Sequence, residues 1–395
     1  METTRHESLP PTQARERTSP QPLVLLASVV IILGLVGAAL TYGSHRHAFA
    51  VLIGVLAGLS LYLARFGFTA AWRRAVVEHR GAGLRAQFLL LALVCAVSFP
   101  LLAQGNAFGI SVYGYILPFG VSAALGAFMF GVGMQLGGGC ASGTLFTVGG
   151  GSVRMVIVLA FFVLGSVIAT AHMPFWRSLP SLPPVSFIKS FGLWPALALV
   201  GAILLGLTLL SVFREKRAHG VVEWSGATIS ALQGPWSYRL GACMIALVCL
   251  LTFVDLGRPW GISSGFALWG AKLFHAVGID VLSWPYWSAR SGEVERSVFA
   301  HSTSLMNFGI IAGAFIAAGL AGKFAPAFRI EPQQIMTAIL GGLLLGYGAR
   351  LSYGCNIGAY LGGVTSGSLH GWLWMVFAYA GSAAAIHLKR RLKLA

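Results

Sequence analysis

Charge is what this chain has least of. Only 10% of its 395 residues are Asp, Glu, Lys or Arg, and just 11 are acidic; soluble domains carry about 25%. A water-facing surface cannot be made from so few charges, whereas a lipid-facing one can, so a large soluble fold is excluded. The short alternating strands of a membrane β-barrel are missing too. In their place, segments near or beyond 18 mostly apolar residues recur, the length that crosses roughly 30 Å of hydrocarbon, and mean hydropathy is +0.78.

Cysteine is also sparse. Cys95, Cys140, Cys243, Cys249 and Cys355 all lie in or beside apolar stretches, which argues against a disulfide framework. No CxxC, CxxH or HxxxH spacing accompanies them, so no metal or other cofactor is expected, although Cu(I) or Zn is the natural competitor for soft thiol ligands. No ATP-binding motif is present, leaving a substrate or ion gradient as the energy source. No signal peptide is expected, because residues 1–20 are polar and the first apolar run is long enough to span. The net charge of +16 sits in tails and short segments between helices. That placement suits membrane lipid headgroups and topology rather than nucleic acid.

Crossings are expected near 22–43, 48–66, 86–104, 115–136, 153–172, 192–212, 238–257, 303–322, 334–352 and 371–388. The positive-inside rule puts the N-terminus, Arg73 to Arg85 and the run Arg214 to Arg217 in the cytoplasm. If Trp260 to Gly278 dips into the protein and returns, Lys323, Arg329 and the C-terminal tail are cytoplasmic as well. The expected organisation is a disordered tail (1–20), an additional N-terminal helix (21–45), a first repeat (46–175), a linking region (176–237), a second repeat (238–390) and a basic tail (391–395).

The repeats announce themselves in "GVGMQLGGGCASG" (Gly131 to Gly143) and "GYGARLSYGCNIG" (Gly346 to Gly358), which share six identities in thirteen positions. A weaker echo joins "FGFTAAW" (Phe66 to Trp72) to "WGISSGF" (Trp260 to Phe266). The charge pattern starts one copy outside and the other inside, so the copies are inverted, as in transporters whose substrate site lies at the repeat interface. The fold class is thus an all-α polytopic membrane protein of about ten crossings, with two inverted repeats and glycine-rich broken or re-entrant helices.

Close helix packing accounts for some of these glycines. Three in a row beside a cysteine favour a bend or an open helix end. Cys140 and Cys355 with Gly139 and Gly354 then mark mid-membrane breaks, and half-helices starting near Ser142 and Ile357 offer free amides to an anion. Ser142, Asn356 and Thr144 add hydrogen-bonding groups. Thiols are soft and polarisable, which suits a sulfur-containing anion, and a thiolate exchanges with sulfane sulfur. Arg350 matches Gln135, five residues before each cysteine; it either holds an anion or snorkels to the membrane face. Lys272 and His275 are secondary candidates in the dipping segment. Asp255 and Arg258 read as a structural pair, His172, His301 and His370 as interfacial, and Cys95, Cys243 and Cys249 as small buried side chains without a role.

The stretches "GVGMQLGGGCASGTLFTVGGGS" and "LGYGARLSYGCNIGAYLGGVTSGSLHGW" resemble the YeeE/YedE family of bacterial inner-membrane proteins, over about residues 48 to 390. The resemblance implies an hourglass-like transporter fold, thiosulfate brought to the cytoplasm, and Cys140 and Cys355 as two cysteines facing the path. It also implies a small cytoplasmic sulfurtransferase-like partner. Family members often carry a further cysteine in a context like "GFCF", where this chain has "RFGFTAAW" with Gly67 or Phe68 at that place. The function expected is uptake of thiosulfate or a closely related inorganic sulfur anion across the inner membrane. A selenium species, another sulfur compound, a membrane-embedded sulfurtransferase using Cys140 or Cys355, and a structural protein are the alternatives.

Overall fold

Among the residues described by the computed structural model, which are 19–392 except 108, 225 and 227–229, ten helical segments are long and apolar enough to cross a membrane. They coincide with the ten expected crossings. The expected disordered tail falls almost wholly outside the described residues, as do 393–395 of the basic tail.

The helix α1 (Pro22–Tyr42) opens with proline in its first turn, where the missing N–H costs nothing. It is followed by α2 (His45–Ala64), the short α3 (Phe68–Val77) and α4 (Ala82–Gln104). Residues 115–120, expected within a crossing, are extended instead. Of two small antiparallel ribbons, β1 (Asn106–Ala107) pairs with β2 (Ile110–Ser111). In the other, β3 (Phe119–Gly120) pairs with β4 (Ser181–Leu182), Phe119 opposite Leu182. Next come α5 (Val121–Gly137), α6 (Ala141–Gly149) and α7 (Val153–Ala171), then the loop helices α8 (Met173–Ser178) and α9 (Phe187–Phe191), and α10 (Leu193–His219).

The second half holds α11 (Tyr238–Leu256), α12 (Ser263–Ala276), the short α13 (Pro285–Ser288) and α14 (Ser291–Glu295), and α15 (Ser302–Leu320) and α16 (Pro332–Leu351). A π-helical turn (Asn356–Leu361) runs into α17 (Gly362–Val364), and α18 (Leu369–Arg391) closes the chain. The dipping segment is α12, whose 14 residues reach only about 21 Å at 1.5 Å each. That is too short to cross.

The packing is symmetric. The pair α2 with α15 has its counterpart in α11 with α4, and α7 with α16 in α18 with α5, while α2 meets α11 and α5 meets α16. Equivalent helices run antiparallel: Gly126 of α5 lies beside Leu351 of α16 and Gly137 beside Gly341, while Gly241 of α11 lies beside Ala64 of α2. Antiparallel pairing of equivalent helices is what inversion requires. Glycine makes such close packing possible: at the α5–α16 contact a Cβ on Gly133 would stand 2.7 Å from the Leu345 nitrogen and one on Gly348 2.5 Å from the Gly126 oxygen. The neighbouring contacts are tighter still, with a Cβ on Gly131 2.0 Å from the Ala378 carbonyl oxygen on α18 and one on Gly346 2.2 Å from that of Phe162 on α7. Backbones this close gain dispersion contacts that lipid cannot replace.

The run Arg214 to Arg217 is helical rather than a loop. Glu215 is fully buried and holds it in place, accepting from Arg80 (3.2 Å), Arg85 (2.8 Å) and the amides of Gly81 (3.1 Å) and Glu223 (3.0 Å). Breaking one partner of such a network leaves a buried charge uncompensated. All ion pairs among the described residues lie on this face, on Arg74, Arg80 and Arg85.

Candidate functional site

Each glycine–cysteine stretch divides into three jobs. Gly131 and Gly133, with Gly346 and Gly348, pack helices as described above. Gly139 and Gly354 turn the chain so sharply that a Cβ would lie 3.3 Å from the Thr144 amide nitrogen and 2.8 Å from that of Ala359. Gly143 and Gly358 face more open space: an added Cβ would meet only the Cys140 sulfur at 3.4 Å in one case and the Gly261 Cα at 3.9 Å in the other. The residue two before each cysteine is left-handed in both copies, Gly138 at φ 85° and Tyr353 at φ 63°. The break is therefore a property of the backbone path, and it persists where tyrosine replaces glycine.

Both cysteines sit at the start of the helix that follows. Cys140 is the N-terminal cap of α6: its carbonyl accepts from the Thr144 amide (2.8 Å) and its sulfur accepts from the Gly143 amide (3.4 Å). Cys355 caps the π-helical turn, with its carbonyl accepting from Ala359 (2.8 Å) and Tyr360 (3.3 Å). Both are buried. The Cys140 sulfur also faces the main chain of Phe68, the first residue of α3, and the Cys355 sulfur that of Ser263, the first residue of α12. Each thiol thus lies where two helix N-termini converge, a region of positive potential. α6 touches the π-helical turn, so the two caps adjoin at the centre of the bundle.

The neighbours of the two thiols differ. The Ser142 hydroxyl lies 3.4 Å from the Cys140 sulfur, and Thr144 spends its hydroxyl on the Cys140 carbonyl (2.8 Å). Asn356, beside Cys355, is fully buried with both side-chain polar atoms unpartnered. A buried amide without partners costs free energy unless something satisfies it. Gln135 donates to the Thr69 carbonyl (3.3 Å) and the Ser382 hydroxyl (2.7 Å). Its counterpart Arg350 donates to the hydroxyls of Tyr286 and Ser263, both at 3.1 Å, and its Nε is buried without a partner. The guanidinium is turned inward rather than out to the lipid face.

On the side that the charge pattern assigns to the cytoplasm, a cavity of about 640 Å³ reaches in to Gln135 and Gly138; Arg73, Lys389 and Arg390 line it against the single carboxylate of Glu78. It is a basic vestibule ending two residues from Cys140.

Other candidates lie elsewhere. Lys272 donates to the carbonyls of Val294 (2.6 Å) and Arg296, tying down the α14 loop, and His275 is exposed. Both sit toward the end of α12 remote from Ser263. Arg258 does not pair with Asp255; it donates to Tyr115 and Thr303, each at 3.0 Å. His370 is buried, its ring against Ser368 (2.9 Å), rather than interfacial. Cys243 is exposed rather than buried, whereas Cys95 and Cys249 are buried as expected. Thr69, Ser263 and Tyr286 were not singled out from the sequence. The likeness of "FGFTAAW" to "WGISSGF" was the available signal for the first two, whereas Tyr286 had none. Among the described residues, no three His, Cys, Asp or Glu side chains converge as metal ligands.

The family model for sulphur transport matches residues 63–384. The thiosulfate transporter TsuA of Spirochaeta thermophila is 27% identical over 347 residues, covering 84% of this chain and 96% of its own. TsuA of Escherichia coli K12 is 24% identical over 348 residues, covering 84% and 91%. The probable transporter YedE of the same organism is 32% identical over 126 residues, 32% of this chain and 31% of its own length.

Proposed function

This chain belongs to the sulphur transport family, as a multi-pass inner-membrane protein that carries a sulfur-related anion, and from that premise we propose that the anion is thiosulfate or a close relative. Uptake runs inward along a path through both cysteines. The first repeat (46–175) supplies Cys140 with Gly139, Ser142 and Gln135. The second (238–390) supplies Cys355 with Gly354, Asn356 and Arg350. Both chain ends lie in the cytoplasm.

The observation that carries this reading is the environment of the two thiols. Each is held at the meeting of two helix N-termini, where amides and the S–H group stabilise an anion that has lost its water. The contacts of Cys140 are a hydroxyl and main-chain groups, and those of Cys355 are main-chain groups. Among the described residues, neither histidine nor carboxylate stands against either sulfur to act as a base, which favours a binding thiol over the nucleophile of a sulfurtransferase. A thiol gives weak contacts, and weak contacts let an anion leave as readily as it arrives. Thiosulfate carries two negative charges, so an inside-negative potential of 100 mV opposes its movement by about 4.6 kcal/mol. Cytoplasmic consumption, a cotransported ion, or a small sulfurtransferase-like protein at the basic vestibule offsets that cost.

The test is reconstitution. Proteoliposomes containing the intact protein are expected to accumulate thiosulfate labelled on its outer sulfur. Excess unlabelled thiosulfate should suppress the signal more strongly than sulfate, sulfite or selenite. Suppression by selenite or sulfite first would move the assignment to that species, and no flux of any of the four would end it.

A further inference from the structure

Arginines gather at both faces of this protein, and the two clusters are held differently. At the inner face Arg74, Arg80 and Arg85 are all neutralised by Glu78, Glu215 or Glu223. At the outer face three arginines gather on one tyrosine, and among the described residues none of them pairs with a carboxylate. Arg290 lies over the Tyr286 ring at 4.7 Å from its centroid and Arg177 at 5.9 Å. Arg350 donates to the Tyr286 hydroxyl from the protein side at 3.1 Å. Arg290 also donates to the Tyr286 carbonyl (3.1 Å).

Such clustering is costly unless a counter-ion repays it. Like charges repel, and a ring quadrupole returns little at an exposed site. Arg350 is 9% exposed, its Nε buried and unpartnered. Because the Tyr286 oxygen accepts from Arg350, its own proton is free to donate. Arg350 in turn holds Ser263, whose main chain faces the Cys355 sulfur. A continuous line of donors therefore leads from Arg177 and Arg290, both exposed, to the outer thiol.

We propose that Arg177, Arg290 and Arg350 around Tyr286 form an anion-capture site at the outer mouth, taking a doubly charged tetrahedral oxyanion of thiosulfate or sulfate size. The site rests on the reading that the chain moves such an anion inward. Guanidinium forks match oxyanions in geometry as well as charge. The outer pair draws the dianion from solution, and Arg350 with the Tyr286 hydroxyl passes it toward Cys355. Tyr286 separates the two stages: solution-facing cations lie against its ring and the buried cation against its hydroxyl.

The test is calorimetric titration of the purified protein in nanodiscs of zwitterionic lipid with thiosulfate and with sulfate. It compares the intact protein, the double variant Arg177→Gln/Arg290→Gln, and Tyr286→Phe. The double variant changes exposed side chains and is expected to keep its melting temperature while binding at least tenfold more weakly. Tyr286→Phe keeps the ring and loses several-fold in affinity. In uptake the double variant raises KM by the same factor and leaves the maximal rate within twofold. Unchanged affinity in the double variant overturns the proposal. The same titration in nanodiscs containing phosphatidylglycerol separates a soluble anion from a lipid headgroup. Retained affinity supports capture from solution, and its disappearance gives the cluster to the lipid and overturns the assignment. Absence of uptake by the intact protein would end the transport reading, while the calorimetry decides the capture site independently.

Discussion

The Cys140 half and the Cys355 half share a backbone and differ in chemistry. Both place a left-handed residue two positions before the cysteine, turn on a glycine, and cap the next helical segment with the cysteine carbonyl. Where the first half has an α-helix, a serine beside the thiol and Gln135, the second has a π-helical turn, an unpartnered Asn356 and Arg350. The shared backbone is what closes the bundle, and the chemistry around it differs. On the proposed path, a neutral amide stands toward the inner vestibule and a cation toward the outer mouth. On the proposed function, that asymmetry favours binding from outside and release inside.

The comparison breaks most severely at the packing glycines. Gly131→Leu and Gly346→Leu each drive a side chain into a carbonyl of a neighbouring helix, at 2.0 and 2.2 Å already for the Cβ. Almost no folded protein is expected in the membrane, read by size-exclusion of the solubilised protein. Gly143→Ala and Gly358→Ala, where the added methyl has room, should fold normally and slow uptake instead. If both classes reduce folded yield alike, the division of the motif into packing and path glycines is wrong.

Exchanging the two polar residues sharpens the comparison next. Arg350→Gln gives the outer half the inner half's side chain, and the KM for uptake is expected to rise about tenfold, one charge-assisted contact being worth about 1.5–3 kcal/mol. Gln135→Arg places a cation at the inner end and should slow release, lowering the maximal rate. Equal kinetics in both variants would mean that neither residue touches the anion.

A smaller effect is expected at the left-handed positions. Gly138→Ala forces a side chain into a conformation that L-residues resist, at about 1 kcal/mol, and its methyl lies 2.8 Å from Arg154. A melting temperature lower by about one or two degrees is expected, with uptake retained. Tyr353 already bears that strain at φ 63°, and its ring packs against the core, so Tyr353→Phe is expected to leave the melting temperature nearly unchanged.

The last effect is absent at neutral pH and appears only as pH falls. His301 caps α15 through a ring nitrogen that accepts from the Ser304 amide (3.2 Å). Burial, with Arg258 nearby, pushes its pKa down to about 4 from the ordinary 6.5. The folded state thus holds the neutral ring while the unfolded chain protonates near 6.5. Stability is complete above that pH and falls as pH drops toward about 4. His301→Asn, a cap that does not titrate, should flatten this part of the pH profile of thermal unfolding.

Helix positions were legible because each crossing needs a long apolar run, and the dip at α12 was legible because only a returning segment from Trp260 to Gly278 puts Lys323, Arg329 and the tail on the cytoplasmic side. The breaks were legible because three adjacent glycines have few other uses in a bilayer. Partners brought together by the tertiary fold were not. Tyr286, Arg177 and Arg290 come from α13, α8 and the start of α14, separate loop elements with no shared pattern. Thr69 and Ser263 owe their place to helix starts whose exact residue the sequence does not mark. The exposure of Cys243 and burial of His370 depend on which helix face meets a neighbour, and a helix apolar all round hides that choice. Lys272 read as a path residue because a lysine in an apolar run is costly. Two loop carbonyls meet that cost.

The account's central claim is that the two thiols act in series on one path. Uptake of thiosulfate labelled on its outer sulfur, at matched membrane expression, tests it with Cys140→Ala, Cys355→Ala and the double variant. Each single change is expected to cut uptake at least tenfold, and the double variant to be no worse than the poorer single one, because a path blocked once is blocked. Full uptake in either single variant, or losses that multiply in the double, would contradict it.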